Sequence, residues 1–145
     1  MARSLKKMDD RLRFSFDFFD RNHDAFNCGD TEDVWFIGLL DSFKEVSNLR
    51  LVELTQQRQH YDAHEHDWGD LDYEYDKLPP NLWDQVRDHC LQFRISKSEG
   101  RVHGFTIGNT FYIVWLDPHH NLYPRERHGG RTFHSAQLTP YDNAK

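Results

Sequence analysis

The chain has 145 residues, enough for one domain with a proper core. Its 24 acidic and 18 basic side chains give a formal net charge of -6, which excludes a uniformly basic nucleic-acid binder. An aromatic content of 14% excludes a disordered composition, and no apolar run approaches the roughly 20 residues of a membrane span. The charge is uneven. Residues 1–13 hold five basic and two acidic groups and residues 91–145 hold seven and four, whereas residues 61–90 hold two and nine.

Residues 1–12 read as a flexible basic arm, with no apolar core of the kind a secretion signal needs. Arg13–Phe19 alternates through Phe14, Phe16 and Phe18, which predicts a first strand. Asp20–Gly29 is a loop by its Asn, Asp and Gly content. Asp30 or Thr31 supplies a helix N-cap, and Glu32 and Asp33 suit the positive end of the dipole. Phe36, Leu39, Leu40, Phe43 and Val46 form one apolar stripe of a helix that stops at Ser47-Asn48. A weaker helix is expected over Leu51–Gln59. Residues 60–80 mix acidic and aromatic residues and read as a long surface loop with at most a short strand. Asn81–His89 reads as a short helix capped by Asn81. Cys28 and Cys90 lie far apart without a CxxC spacing, the usage of a reduced, cytoplasmic protein.

Residues 91–123 are the most regular part. Leu91–Lys97 alternates apolar and polar, with Leu91, Phe93 and Ile95 on one face and Gln92, Arg94 and Ser96 on the other. Arg101–Ile107 returns after a loop at Ser98-Glu99-Gly100. Gly108-Asn109 makes a two-residue hairpin turn, and Thr110–Leu116 is an unbroken apolar strand that Asp117-Pro118 ends. This register sets Ile107 opposite Thr110, Phe105 opposite Tyr112 and His103 opposite Val114. It places Leu91, Phe93, Ile95, Phe105, Ile107, Val114 and Leu116 on the face that helices cover. A bulge at Gly104 would carry Arg101 and His103 onto the other face. The expected fold is a single α+β domain over residues 13–124. It has an antiparallel sheet of four to five strands and two helices packed on one face. Residues 125–145 are expected to form an extended tail.

The order of these elements resembles the RelE/ParE-like toxins. An Arg opens a strand at Arg101-Val102, and a hairpin, an apolar strand, a polar turn and a segment closing on Tyr123 follow. The resemblance implies a sheet whose uncovered face binds mRNA in the ribosome and cleaves it without metal. It places Arg101 where the family carries a phosphate-stabilising Arg, Tyr123 where RelE-type members carry a Tyr, and His119 and His120 where they carry basic residues. Asp117-Pro118 stands where the family is usually basic.

Metal-free RNA cleavage needs a base for the 2'-hydroxyl, an acid for the leaving 5'-oxygen and a cation for the crowded phosphorane. Histidine suits the first two roles and the arginine fork the third. The catalytic candidates are Arg101, His119, His120 and Tyr123, the RNA-binding candidates Arg94, Lys97 and His103, with no cofactor. The partners implied are RNA, on the ribosome, and an antitoxin or other protein, with no membrane. Two alternatives accompany this reading. ParE-like members keep the fold but act on gyrase, so the chain can instead bind and inhibit a protein partner. His60, His64 and His66, interleaved with Asp62, Glu65 and Asp67, can alternatively supply ligands for a metal-dependent phosphoesterase.

Overall fold

The computed structural model describes residues 10–95 and 100–123, without the side chains of residues 58 and 59. Most of the expected basic arm, Lys97, and the tail over residues 125–145 lie outside the described residues. The elements in chain order are β1 (Arg13–Ser15), α1 (Asp33–Val46), α2 (Leu51–Gln56), α3 (Arg58–Tyr61), β2 (His64–Glu65), α4 (Pro80–Val86), β3 (Cys90–Arg94), β4 (Arg101–Ile107) and β5 (Thr110–Asp117). Short 3₁₀ turns occupy Trp68–Asp70 and Arg87–His89.

The five strands lie in the order β1-β5-β4-β3-β2. Strands β3, β4 and β5 form the expected antiparallel meander, and β2 adds antiparallel to β3. The sheet is mixed rather than wholly antiparallel. Strand β1 takes the edge next to β5 and runs parallel to it, with Phe14 beside Phe111. No hairpin joins β1 to β5, so nothing in the connectivity forces an antiparallel pairing there.

The turn at Gly108-Asn109 is where the sequence places it, with Gly108 at φ 61°, and Phe105 pairs with Tyr112. Beyond that pair the register departs from expectation. Gly104 pairs with Ile113 and His103 with Trp115, which leaves Val114 as the extra residue of a β-bulge. Glycine is required opposite the bulge, because a Cβ on Gly104 would collide with the Tyr112 carbonyl and the Phe111 ring.

The hairpin between β3 and β4 also has a different parity. Leu91 pairs with Gly104 and Phe93 with Val102, while Cys90 pairs with Phe105. Leu91, Phe93 and Ile95 therefore share a face with Val102, Phe111, Ile113 and Leu116, and not with Phe105 and Ile107. This first face lies under α1 and α2. Leu39, Val46 and Leu54 are fully buried against it, and Phe36 and Phe43 pack at its margin. Leu40, expected on the same stripe, points outward and is 67% exposed. Helix α1 begins at Asp33, later than a cap at Asp30 or Thr31 would put it. Asp30 is left-handed (φ 56°), and Glu32 takes the N-cap position without a side-chain cap.

The second face is also covered, and this corrects the expectation of an open one. Residues 18–26 and 66–86 fold over it. Phe26 stacks on Trp115 with ring centres 4.4 Å apart, and Tyr75 meets Trp115 edge-on at 4.6 Å. The Tyr75 hydroxyl donates to the Gly104 carbonyl (3.3 Å), and Trp68 Nε1 donates to the Arg87 carbonyl (2.9 Å). The acidic-aromatic stretch is therefore a structural cover, with Trp68, Tyr75 and Leu78 in the core and its carboxylates outward. Each such large side chain contributes roughly 1.5–3 kcal/mol by leaving water.

Candidate functional site

The second sheet face turns polar toward one end. Cross-strand pairing lines up His64 with Gln92, Gln92 with His103, and His103 with Trp115, so one row crosses four strands. The next row joins Arg94, Arg101 and Asp117. Because side chains alternate along a strand, residues two apart share a face. His66 continues β2, its amide donating to the Cys90 carbonyl (3.0 Å). Tyr123 arrives from the turn after β5, with its ring centre 5.4 Å from His64 and 5.8 Å from His66.

Arginines directly opposite each other repel, and the structure supplies a counter-charge. Arg101 Nη2 donates to Asp62 Oδ2 (3.2 Å), and Arg94 Nη2 donates to the His60 carbonyl (2.9 Å). Arg101 is buried, whereas the Asp62 side chain is 44% exposed. The ion pair thus closes the outer end of the row. Gln92 Nε2 lies 3.0 Å from His64 Nε2 and donates to it.

His103 and Asp117 form the floor, and both are fully buried. His103 Nε2 lies 2.9 Å from Asp117 Oδ2, which also accepts from the Leu122 amide (3.0 Å), while Asp117 Oδ1 accepts from the Asn121 amide (2.7 Å). Burial alone would raise the Asp117 carboxyl. The hydrogen bond and charge of His103, with the two amides, hold it below its ordinary value. Burial lowers the His103 imidazole, against the opposing pull of Asp117. Above this pair, His66 Nδ1 lies 2.8 Å from the Tyr123 hydroxyl. Burial, then His103 and His64, keep His66 well below its ordinary value, so it is neutral at pH 7. Burial first, and then Asp67, Asp62 and Asp70, push the Tyr123 phenol up, so it keeps its proton.

The residues singled out from sequence divide as follows. Arg94, Arg101, His103 and Tyr123 come together at this end of the sheet. His103 is inside the floor rather than on an exposed rim. His119 directs Nε2 to the Gly29 carbonyl (2.8 Å). His120 is left-handed (φ 57°), with its ring centre 6.3 Å from Tyr123. His64 and His66, read from sequence as metal ligands, join the arginines and Tyr123. The His60 carbonyl accepts from Arg94, but its ring lies near Glu45 (3.8 Å) instead of joining them. Among the described residues no three His, Cys, Asp or Glu side chains are placed to hold a metal ion. Gln92 and Asp117 were not singled out as site residues. The signal that marks Gln92 is the i, i+2 spacing of polar residues in successive strands, His64/His66, Gln92/Arg94 and Arg101/His103, whereas Asp117 is marked only by its pairing with Arg101.

Comparisons with protein-family models, with curated proteins and with solved structures return no match. Among the described residues no helix is long and apolar enough to cross a membrane.

Proposed function

We propose that the chain is a metal-independent endoribonuclease of RelE type, acting on mRNA on the ribosome, and that the polar end of the second sheet face is its site. The observation that carries this reading is the meeting of Arg94 and Arg101, cross-strand neighbours, with His64, His66 and Tyr123. Two guanidinium groups side by side suit a phosphodiester, whose oxygens match the arginine fork. Asp62 holds Arg101 in place and is the group that a phosphate displaces. His64 and Tyr123 are half-buried and so reach both solvent and the floor. They are better placed than His119, which is engaged with the Gly29 carbonyl, to exchange protons with a 2'-hydroxyl and a leaving 5'-oxygen.

The test is cleavage of free RNA in EDTA and, separately, of mRNA on translating ribosomes in Mg²⁺ buffer. The wild type is expected to cut, and Arg101→Gln to lower the rate by roughly 10²-fold or more, the scale of lost electrostatic stabilisation. Intact RNA in both settings contradicts the reading.

A second reading has its own observation. Val34, Ile37 and Leu40 form an outward row on α1, exposed by 67, 60 and 67%. Such a row suits a protein partner, as in the inhibitor reading. Recovery of one stoichiometric partner, lost on Ile37→Glu, with no RNA cleavage, favours it.

A further inference from the structure

His66 and His103 face each other in the floor with one nitrogen each left over. Both rings are buried, with centres 5.1 Å apart. His66 uses Nδ1 on Tyr123 and His103 uses Nε2 on Asp117. Among the described residues, His66 Nε2 and His103 Nδ1 have no hydrogen-bond partner. Buried polar nitrogens are rarely left so, because an unmet donor or acceptor forfeits about 1–3 kcal/mol. With the ring centres 5.1 Å apart, the two nitrogens are within reach of one bridging water.

The donor directions fit. Asp117 accepts from two backbone amides and is ionised, so His103 Nε2 carries a hydrogen and His103 Nδ1, in the neutral ring, is an acceptor. A Tyr123 hydroxyl that donates to His66 Nδ1 leaves the hydrogen of neutral His66 on Nε2. One leftover atom is then a donor and the other an acceptor.

We propose that Tyr123, His66, His103 and Asp117 form one proton relay, in which a single water accepts from His66 Nε2–H and donates to His103 Nδ1. The inference rests on the ribonuclease reading and gives that site its base. As a substrate hydroxyl passes its proton to the Tyr123 oxygen, Tyr123 passes its own to His66 Nδ1. His66 then passes the Nε2 proton to the bridging water, which passes one of its own to His103 Nδ1. Each bond to hydrogen that breaks is matched by one that forms. The net result is an alkoxide nucleophile and an imidazolium at His103 beside the Asp117 carboxylate. Tyr123 never becomes a free phenolate, which its surroundings oppose. In this scheme Tyr123 is the catalytic group, and His66, His103 and Asp117 are positioning residues.

Imidazole ¹⁵N NMR of the whole chain at pH 7.5 tests it. The expected result is that both His66 and His103 carry their hydrogen on Nε2. Tyr123→Phe, at the half-buried end, should move His66 toward the Nδ1–H tautomer and shift the His103 Nδ1 resonance. Asp117→Asn should shift Tyr123 and His66 from the far end. Wild-type His66 found as Nδ1–H, or a His103 spectrum unchanged by Tyr123→Phe, overturns the relay even where Asp117→Asn fails to fold. The RNA assay separates the two ideas. Linked tautomers without cleavage leave the relay and remove the ribonuclease, while cleavage with unlinked tautomers does the reverse.

Discussion

The two faces of the sheet are built from the same strands but differ in kind. Under α1 and α2 the packing is largely apolar, with Phe93, Val102, Phe111 and Ile113 wholly buried and Ser42 a buried polar side chain on α1. Under residues 18–26 and 66–86 the core begins with Phe26, Tyr75, Phe105 and Trp115 and then gives way to Gln92, Arg101, His103 and Asp117, also buried. Buried charge is expensive unless it is paired, and here Arg101 pairs with Asp62 and His103 with Asp117. The first face can be explained by stability alone. The second holds two arginines, three histidines and a carboxylate, and for a fold of this size that is more than packing requires.

The largest effect should come from cutting into both cores. Phe93→Ala and Trp115→Ala should each destabilise the chain by about 3–5 kcal/mol in denaturant unfolding. In a partly folded population, Phe93→Ala should scale activity with the folded fraction. Trp115→Ala should lower it further, because Trp115 abuts His103 in the polar row. Equal losses per folded molecule would erase the distinction between the faces.

Next comes acid. His66 and His103 are held below their unfolded values, so below about pH 6.5 the unfolded chain binds more protons than the folded one. Their contribution is present above that pH and falls as the pH drops toward the folded values. Asp117, also lowered, adds a second loss below about pH 4. Urea midpoints should therefore decline from pH 7 to pH 5. In His66→Phe the decline should be shallower, and an unchanged slope would place the titrating groups elsewhere.

Much of this fold can be read from residues 91–117. The Gly108-Asn109 turn and the alternation of β3 fix the meander. Local pattern did not fix the parity of the β3–β4 connection or the extra residue at Val114. One residue of slippage exchanges the faces, which is why local pattern puts Phe105, Ile107 and Val114 on the wrong side. Period-two spacing could not show that residues 66–86 cover the second face, because their aromatics have no regular repeat. The site was half legible. Arg94, Arg101, His103 and Tyr123 stood out by charge and position, but His64 and His66 looked like metal ligands until β2 placed them beside β3. Asp117 looked like a strand terminator, and its partner His103 is 14 residues away across a bulge.

The smallest effect belongs to the outer row of α1. Leu40→Ala should change stability by no more than about 0.5 kcal/mol, since the side chain is mostly in water. A larger loss in the purified chain would mean that the row is already covered, and would weaken the partner-binding reading.

Under the ribonuclease reading, the arginines, histidines and tyrosine at one end of the sheet would cleave RNA through its own 2'-hydroxyl. Analysis of the ends left on mRNA cut by the purified chain on translating ribosomes, with free RNA in EDTA as the second substrate, decides this. The expected ends are a 2',3'-cyclic phosphate or its 3'-phosphate product opposite a 5'-hydroxyl, with no such ends from Tyr123→Phe. Ends of 3'-hydroxyl and 5'-phosphate, or wild-type cleavage that persists in Tyr123→Phe, would contradict it.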